Sequence, residues 1–168
     1  MKLGFIGQMR AGKDTAADYL REMHHGHIMK FADPIYEIQN FAYEVTGFSK
    51  EKDRHLLQWI GTEWGRTKDP DIWVKVLERR LNVLRDDYEV YITDVRFPNE
   101  ISMLKRLGFK IIMIYADDEI RVARGASHET HVSEHYSRVC EDYDFRIENN
   151  GTKEEFYRKL EGLMKELV

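Results

Sequence analysis

The sequence contains little cysteine and proline, and it has no long apolar run. Its one cysteine, Cys140, cannot form an intramolecular disulfide, which fits a reducing, cytoplasmic setting. No apolar stretch is long enough for a signal peptide or a membrane span, so we expect no membrane partner. An excess of basic residues is also missing, because the net charge is −4, and this argues against binding to a nucleic acid polymer.

The composition that remains is typical of a globular chain. Hydrophobic residues make up 42% of the sequence and charged residues 33%, which excludes a disordered chain. A length of 168 residues suits a single core, so we expect one domain over residues 1–168. Both a monomer and a homodimer remain open.

Strand-like and helix-like segments alternate along the chain. Apolar and β-branched runs predict strands at residues 2–6, 27–31, 88–93, 109–115 and 143–147. Helical spacing of apolar residues predicts helices at residues 12–23, 34–46, 51–64, 70–86, 98–107 and 152–167. Alternation of this kind implies a parallel sheet with helices on both faces, so we predict a three-layer α/β fold of about five strands.

Two of these helices carry apolar stripes that predict their buried faces. The stripe of the first helix includes Ala16, Leu20 and Met23. The stripe of the second helix includes Ile38 and Val45. Residues at this spacing share one helix face, so we expect all of them to point inward.

The segment between the first strand and the first helix carries the most specific signal. The residues GQMRAGK at 7–13 fit the pattern G-x-x-x-x-G-K, in the strand-to-helix context that the motif requires. Gly7 and Gly12 allow a tight turn in which consecutive N–H groups, including that of Ala11, point into a concavity. Lys13 adds a mobile charge for the β- and γ-phosphates. We therefore predict a P-loop that binds a nucleoside triphosphate.

Three residues of this segment have open roles. The residue after the motif's lysine is usually Ser or Thr, whose hydroxyl contacts magnesium, but here it is Asp14, followed by Thr15. Asp14 either binds magnesium through water or favours the positive end of the helix, and Thr15 offers a hydroxyl in its place. Arg10 either reaches a transferring phosphoryl group or is a solvated loop residue.

Further candidates lie at the ends of two predicted strands. Asp94 ends the strand at 88–93 and Arg96 follows it, while Phe31 and Asp33 come at the end of the strand at 27–31. Ligands of open parallel sheets bind beyond the carboxyl ends of the strands. Asp94 is thus a candidate for the magnesium shell or the acceptor. The alternative for both aspartates is a helix N-cap.

Six segments resemble, in order, those of the bacteriophage deoxynucleoside monophosphate kinases: GQMRAGKDTAADYL, LLQWIGTEWG, IWVKVL, YITDVRFPNE, THVSEH and ENNGTKEEF. The family shares the aspartate of the GKDT segment, which is Asp14 here. The resemblance implies a P-loop kinase fold and transfer of a phosphoryl group from ATP to a deoxynucleoside monophosphate. The products would be ADP and a deoxynucleoside diphosphate, and magnesium would be required.

The resemblance also implies an acceptor site. The Thr-Asp-x-Arg pattern of the family supports Asp94 and makes Arg96 a contact of the acceptor phosphate. Its Gly-Thr-acid pattern points to a deoxynucleotide pocket formed by Thr62, Glu63, Trp64 and Arg66, in which Trp64 is the candidate for base stacking. The alternative is a C-capping glycine followed by a solvated run of charge.

In nucleotide kinases the interval that corresponds to residues 117–140 forms a lid over the donor phosphates. Arg121 and Arg124 share one helix face and would clamp the phosphates of ATP. A solvated basic turn is the alternative. His131 and Glu134 match a Thr-His-x-x-Glu stretch of the family, which implies a lid or acceptor element.

Two other functions compete with a deoxynucleotide kinase. A kinase of another small phosphorylated metabolite, such as a phosphomevalonate-type or dephospho-coenzyme-A-type enzyme, would share the P-loop and the lid but not the Gly-Thr-Glu segment with its tryptophans. A nucleotide-binding module that hydrolyses slowly would be expected to carry N-K-x-D or D-x-x-G. Neither pattern occurs in the sequence, which argues against a GTPase.

Overall fold

A computed structural model describes residues 1–49, 51–85, 88–126 and 140–167. Its contacts divide the chain into two compact units, one formed by residues 1–29 with 86–168 and the other by residues 30–85. The single-domain organisation stays a prediction, because a compact unit is not by itself an independently folding domain. Across the described ranges, no helix combines the length and apolarity needed to cross a membrane.

The first unit contains a five-stranded sheet in which every neighbouring pair is parallel. Its strands are β1 Lys2–Ile6, β2 His27–Met29, β3 Val90–Val95, β4 Lys110–Tyr115 and β5 Phe145–Glu148. They are arranged in the order β2-β3-β1-β4-β5. This confirms the predicted α/β fold and its number of strands.

Seven α-helices lie within the described ranges: α1 Lys13–His24, α2 Asp33–Thr46, α3 Arg54–Gln58, α4 Ile72–Leu81, α5 Pro98–Arg106, α6 Asp118–Ala123 and α7 Lys153–Leu167. A π-helical segment, Trp59–Arg66, connects α3 to α4. The helices α2, α3 and α4 and the π-helical segment belong to the second unit, and the other helices belong to the first.

The core of the first unit lies between the sheet and the helices α1 and α7. Small side chains on α1, such as Ala16 and Ala17, allow it to lie close to the sheet, while α7 contributes larger ones such as Phe156 and Leu160. Full burial of a large apolar side chain contributes about 1.5–3 kcal/mol. The inward position predicted for Met23 is wrong, because this side chain is 56% exposed at the end of α1.

The pairing of β1 with β3 changes register near the carboxyl ends of the two strands. Gly4 lies opposite Ile92, but Ile6 lies opposite Val95, so β3 has one more residue than β1 over this stretch. An extra residue of this kind bends a strand and redirects its side chains. The strand also runs to Val95, two residues beyond its predicted end at residue 93, so Asp94 is its penultimate residue.

In the second unit the sequence pattern suggested one α-helix over residues 51–64, but the structure has α3 followed by the π-helical segment. The indole Nε1–H of Trp73 donates a 2.7 Å hydrogen bond to the carbonyl oxygen of Gly61. A Cβ atom at Gly65 would overlap the ring of Trp73 and the carbonyl oxygen of Ile60. The π-helical conformation of this segment therefore accompanies tertiary contacts with Trp73, which the 3.6-residue spacing of apolar residues cannot predict.

The buried face of α2 also differs from the prediction. Ile38 and Val45 are exposed, Val45 to 69%, whereas Pro34 and Gln39 are buried. The side-chain amide of Gln39 donates to the carbonyl oxygen of Glu51 at 3.1 Å. A polar side chain, hydrogen-bonded through its NH2 group, therefore takes an inward position that the apolar spacing had assigned to hydrophobic residues.

Candidate active site

The loop between β1 and α1 has a backbone that requires glycine at both ends. Gly7 and Gly12 have φ angles of +150° and +113°. A Cβ atom at Gly7 would overlap the carbonyl oxygen of Ile114, and one at Gly12 would overlap the side-chain amide of Asn149. Other residues are strained at such φ angles. The glycine spacing of the motif is therefore explained by the geometry of this chain.

Lys13 begins α1 and folds its side chain back over the loop. Its Nζ donates hydrogen bonds to the carbonyl oxygens of Gly7 at 2.6 Å and of Gln8 at 2.9 Å. The ammonium group therefore lies over the loop near the N-terminus of α1, where the helix dipole adds partial positive charge. A mobile cation beside the N-terminus of a helix is the combination with which a P-loop binds phosphate oxygens.

A cavity of about 510 Å³ adjoins the loop. It brings together six of the residues predicted for the donor site and three that were not predicted: Arg10, Gly12, Lys13, Asp14, Thr15 and Arg124, with Asn149, Lys153 and Phe156. Four of these side chains are cationic and one is acidic, so the cavity favours an anionic ligand. Its volume is in the range typical of small-molecule sites, about 300–1,000 Å³.

Asp14 lies in the first turn of α1 with its side chain exposed. Its Oδ1 accepts a 2.9 Å hydrogen bond from the hydroxyl of Thr93 on β3. Magnesium in kinases is held by one or two carboxylates together with phosphate oxygens and water. An exposed carboxylate next to Lys13 fits this pattern. The described residues contain no cluster of three or more His, Cys, Asp and Glu that could hold a metal ion without a ligand's help.

Arg124 follows α6, and its guanidinium is partly engaged. Its Nη2 lies 3.5 Å from Oδ1 of Asn149, while Nη1 has no hydrogen-bond partner among the residues that the structure describes. Because a buried N–H group without a partner is costly, this nitrogen is suited to bind a phosphate oxygen. Arg124 lines the cavity beside Lys13, and its role in clamping ATP stays a prediction.

Arg121 has different surroundings. Its side chain is buried, donating from Nη1 to the carbonyl oxygen of Met9 at 3.2 Å and from Nη2 to Asp118 at 2.6 Å. These contacts connect α6 to the backbone of the P-loop, and Arg121 is not among the described residues that line the cavity. Its role in ATP binding stays a prediction.

Asn149 is a residue that the sequence analysis did not assign. It follows β5, and its Nδ2 donates a 2.8 Å hydrogen bond to the carbonyl oxygen of Ala11 within the P-loop. The same amide approaches Gly12 and contacts Arg124 through Oδ1. The available signal was its position after the last strand, since polar residues there reach the ligand edge of a parallel sheet.

The carboxyl end of β3 is held by Glu100, another residue that the sequence analysis missed. Oε2 of this buried carboxylate accepts hydrogen bonds from the backbone N–H groups of Arg96 at 2.7 Å and Phe97 at 3.1 Å. Phe97 is the N-cap of α5 but has no side-chain acceptor, so only the glutamate half of a capping box is present. Since Phe97 is the cap, the N-cap alternative for Asp94 is wrong.

The residues predicted for the acceptor pocket lie in the second unit. Thr62, Glu63 and Trp64 are exposed on the π-helical segment, and the Lys68 ammonium lies 5.5 Å from the Trp64 ring centroid. Arg66 Nη1 is 3.4 Å from the carbonyl oxygen of Pro70. Exposed polar and aromatic side chains on such a segment are available to a ligand.

Two further predicted residues of this unit begin α2. The Phe31 side chain is buried, and Asp33 accepts a 2.8 Å hydrogen bond from the backbone N–H of Lys30. Asp33 is the first residue of α2 and follows its N-cap, Ala32, so the suggested N-cap role is wrong. The predicted His131 and Glu134, with most of the predicted lid, lie outside the described residues.

The parallel sheet and the glycine-lysine loop define the chain as a protein of the P-loop fold class. A profile of the family described as deoxynucleotide monophosphate kinase matches residues 49–160. The chain belongs to this family.

A protein of Acanthamoeba polyphaga mimivirus is 31% identical to this chain, over 94% of this chain and 93% of its own length. That protein is provisionally assigned as a deoxynucleotide monophosphate kinase. The deoxynucleoside-5'-monophosphate kinase of Escherichia phage T5 is 46% identical over 31% of this chain and 21% of its own. The solved structure of the Mycobacterium tuberculosis APS kinase CysC in complex with AMPPNP and APS matches 98% of this chain and 96% of its own length, with a TM-score of 0.62 and 10% identity. That structural similarity shows the fold alone.

Proposed function

We propose that this chain transfers the γ-phosphate of ATP to a deoxynucleoside monophosphate, with magnesium as the cofactor, and releases ADP and a deoxynucleoside diphosphate. The observation that carries the proposal is the cationic cavity beside the P-loop, where Lys13 and Arg124 meet the N-terminus of α1. Membership of the deoxynucleotide monophosphate kinase family supports the choice of acceptor. A reducing, cytoplasmic setting is part of the proposal, and the free thiol of Cys140 supports it.

The donor site works by positioning and charge. The N–H groups of the loop and the ammonium of Lys13 bind the phosphates, while Arg10 and Arg124 neutralise charge that develops on the transferred group. Asp14 and Thr15 are the residues that would hold magnesium, which supplies further neutralisation of phosphate charge when it is bound. Positioning and charge neutralisation of this kind require no covalent step by the protein.

The acceptor contacts follow from the predicted residues of each unit. In the first unit, Arg96 would bind the acceptor phosphate, with its backbone held by Glu100, and Asp94 would contact the acceptor or the magnesium shell. In the second unit, the proposed contacts of the deoxynucleotide are Phe31, Asp33, Thr62, Glu63, Trp64 and Arg66. The exposed ring of Trp64 suits stacking on a base.

An acceptor screen tests the proposal. The protein is incubated with magnesium, ATP and one acceptor at a time, and ADP formation is measured for each deoxynucleoside monophosphate, for modified pyrimidine monophosphates, for dephospho-coenzyme A and for phosphomevalonate. We expect turnover with at least one deoxynucleotide. Turnover with only a non-nucleotide acceptor would favour the metabolite-kinase alternative, and ATP binding without any transfer would favour a binding module.

Lys13→Ala tests the donor site in the same assay. Loss of the ammonium should lower kcat by about 100-fold or more, because it removes charge stabilisation from the transition state. Lys110→Ala is a matched control, since Lys110 lies at the start of β4 and pairs with Asp144 at 3.9 Å. Equal activity of the Lys13 variant and the control would contradict the assignment of the P-loop as the donor site.

A further inference from the structure

The hydrogen bond between Thr93 and Asp14 joins a buried group to an exposed one. The Thr93 hydroxyl donates to Asp14 Oδ1 at 2.9 Å across a separation of 79 residues, and Thr93 is only 2% exposed. Threonine has one hydroxyl proton and a stiff χ1 angle, so a buried Thr93 is a donor of defined direction. Asp14 itself is exposed and lines the cavity beside the P-loop.

The register shift in the sheet explains how β3 can supply this donor. Between the pairs Gly4–Ile92 and Ile6–Val95, Phe5 of β1 faces two residues of β3, Thr93 and Asp94. Extra residues of this kind redirect side chains and are frequent next to active sites. The shift lies at the carboxyl end of β3, the edge at which parallel sheets bind ligands.

The chemistry of position 14 shows why such a donor is needed. A serine or threonine at this position is short and uncharged, and its hydroxyl reaches magnesium directly. A carboxylate is longer and charged, and here it shares its cavity with the cations Arg10, Lys13, Arg124 and Lys153. Each of these cations could draw it away from the metal. A neutral donor on the rigid sheet fixes one carboxylate oxygen without competing for the phosphates.

We propose that Thr93 is a positioning residue whose hydroxyl orients the Asp14 carboxylate toward the magnesium of bound Mg·ATP. The pair Thr93–Asp14 then replaces the single hydroxyl that follows the lysine in most P-loops. The proposal rests on the proposed function, because it requires Mg·ATP as the donor. Under this proposal a residue of β3, outside the P-loop motif, contributes to magnesium binding.

The test measures ATP binding by calorimetry, with and without magnesium and in the absence of any acceptor. Thr93→Val keeps the shape of the side chain but removes the donor, and Thr93→Ser keeps the donor. Loss of a group that orients a metal ligand lowers metal affinity by about 10- to 100-fold. We therefore expect Thr93→Val to weaken magnesium-dependent ATP binding by about 10-fold or more. ATP affinity without magnesium should stay at the wild-type value, and Thr93→Ser should restore the magnesium dependence.

Two further variants separate positioning from a general structural role. Asp14→Asn removes the charged ligand, so adding Thr93→Val to it should have no further effect on magnesium dependence if the two residues act as a unit. Thr46→Val is the matched control, because its hydroxyl donates to the carbonyl oxygen of Ala42 on an exposed face of α2, outside the described cavity. Should Thr93→Val fail to fold, Thr93→Ala also removes the donor and gives the same comparison.

The outcomes distinguish this proposal from the proposed function. Wild-type magnesium dependence in the folded Thr93→Val or Thr93→Ala variant would overturn the positioning role alone. An equal loss of ATP affinity with and without magnesium would also overturn it, since that indicates a structural effect. Failure of the wild-type protein to bind ATP would overturn both proposals, whereas normal Mg·ATP binding with no turnover on any acceptor would overturn only the proposed function.

Discussion

The side-chain amide of Asn149 donates a 2.8 Å hydrogen bond to the carbonyl oxygen of Ala11, 138 residues earlier in the chain. This contact joins the end of β5 to the middle of the P-loop. Both partners are buried, and the asparagine oxygen faces Arg124 at 3.5 Å. Asn149 therefore fixes the loop and one of the cationic side chains of the cavity at the same time.

Replacement of Asn149 by alanine should weaken both the fold and the donor site. The Ala11 carbonyl oxygen would lose its partner in a buried position, which costs about 1–3 kcal/mol. We expect the free energy of unfolding in urea to fall by this amount and the KM for ATP to rise. Asn82→Ala, at the exposed C-cap of α4, is the control and should change neither quantity. A wild-type KM for ATP in Asn149→Ala would contradict the role of this contact.

Gly12→Ala should abolish ATP binding. The new Cβ would overlap the Asn149 amide, and the φ angle of +113° would strain an alanine backbone. Gly162→Ala provides a contrast within α7, because a Cβ there meets no atom within 4 Å. That control should raise stability by about 0.5–1 kcal/mol, as alanine favours a helix more than glycine. Calorimetric ATP titration and urea unfolding of both variants check this pair of expectations.

Alanine substitutions at the two arginines of the α6 region should have different effects: Arg121→Ala should mainly lower stability, and Arg124→Ala should mainly lower kcat. Arg121→Ala removes two hydrogen bonds of a charged, buried guanidinium, to the Met9 carbonyl oxygen and to Asp118, so we expect a loss of about 1.5–3 kcal/mol in unfolding free energy. Arg124→Ala should leave stability nearly unchanged but lower kcat by about 10²- to 10³-fold, the usual effect of removing a transition-state donor. Urea unfolding and steady-state kinetics of both variants measure the contrast. Equal effects of the two substitutions on kcat would refute it.

A pH dependence is expected at the start of α3. The backbone N–H of Leu56 and the hydroxyl of Tyr43 both donate to the carboxylate of Asp53, and these bonds lower its pKa below the ordinary value of 3.8. A lowered pKa stabilises the fold above the ordinary value, and the effect is lost as the pH falls through the lowered pKa. Asp53→Ala should therefore be less stable than wild type at pH 7.

The difference in stability between the wild-type protein and Asp53→Ala should shrink when the pH falls below the ordinary pKa of Asp53. Thermal unfolding of both proteins from neutral to acidic pH measures it. Glu44→Ala is the control, because Glu44 is an exposed carboxylate on α2 in the same unit. A stability difference that stayed constant across the titration would show that the carboxylate charge of Asp53 is not what stabilises this turn.

Much of the fold follows from local patterns. The apolar run of β4 and the segment G-x-x-x-x-G-K both lie in continuous stretches, so their structures depend on neighbouring residues. The sequence-based prediction of helix faces and helix type failed where tertiary contacts, and not local spacing, determine the structure. Met23 and Val45 lie on regular apolar stripes but face solvent. The period of residues 51–64 suggested an α-helix, but a π-helical segment forms where Gly65 lies close to the ring of Trp73.

The sequence by itself determined the class of chemistry. Gly7, Gly12 and Lys13 form a phosphate cradle because backbone freedom, N–H direction and charge are properties of that segment alone. The tertiary structure decided which distant residues complete it: Thr93 meets Asp14 because β3 lies next to β1 with a shifted register. Strand order and register depend on packing across the whole sheet, and local periodicity contains neither of them.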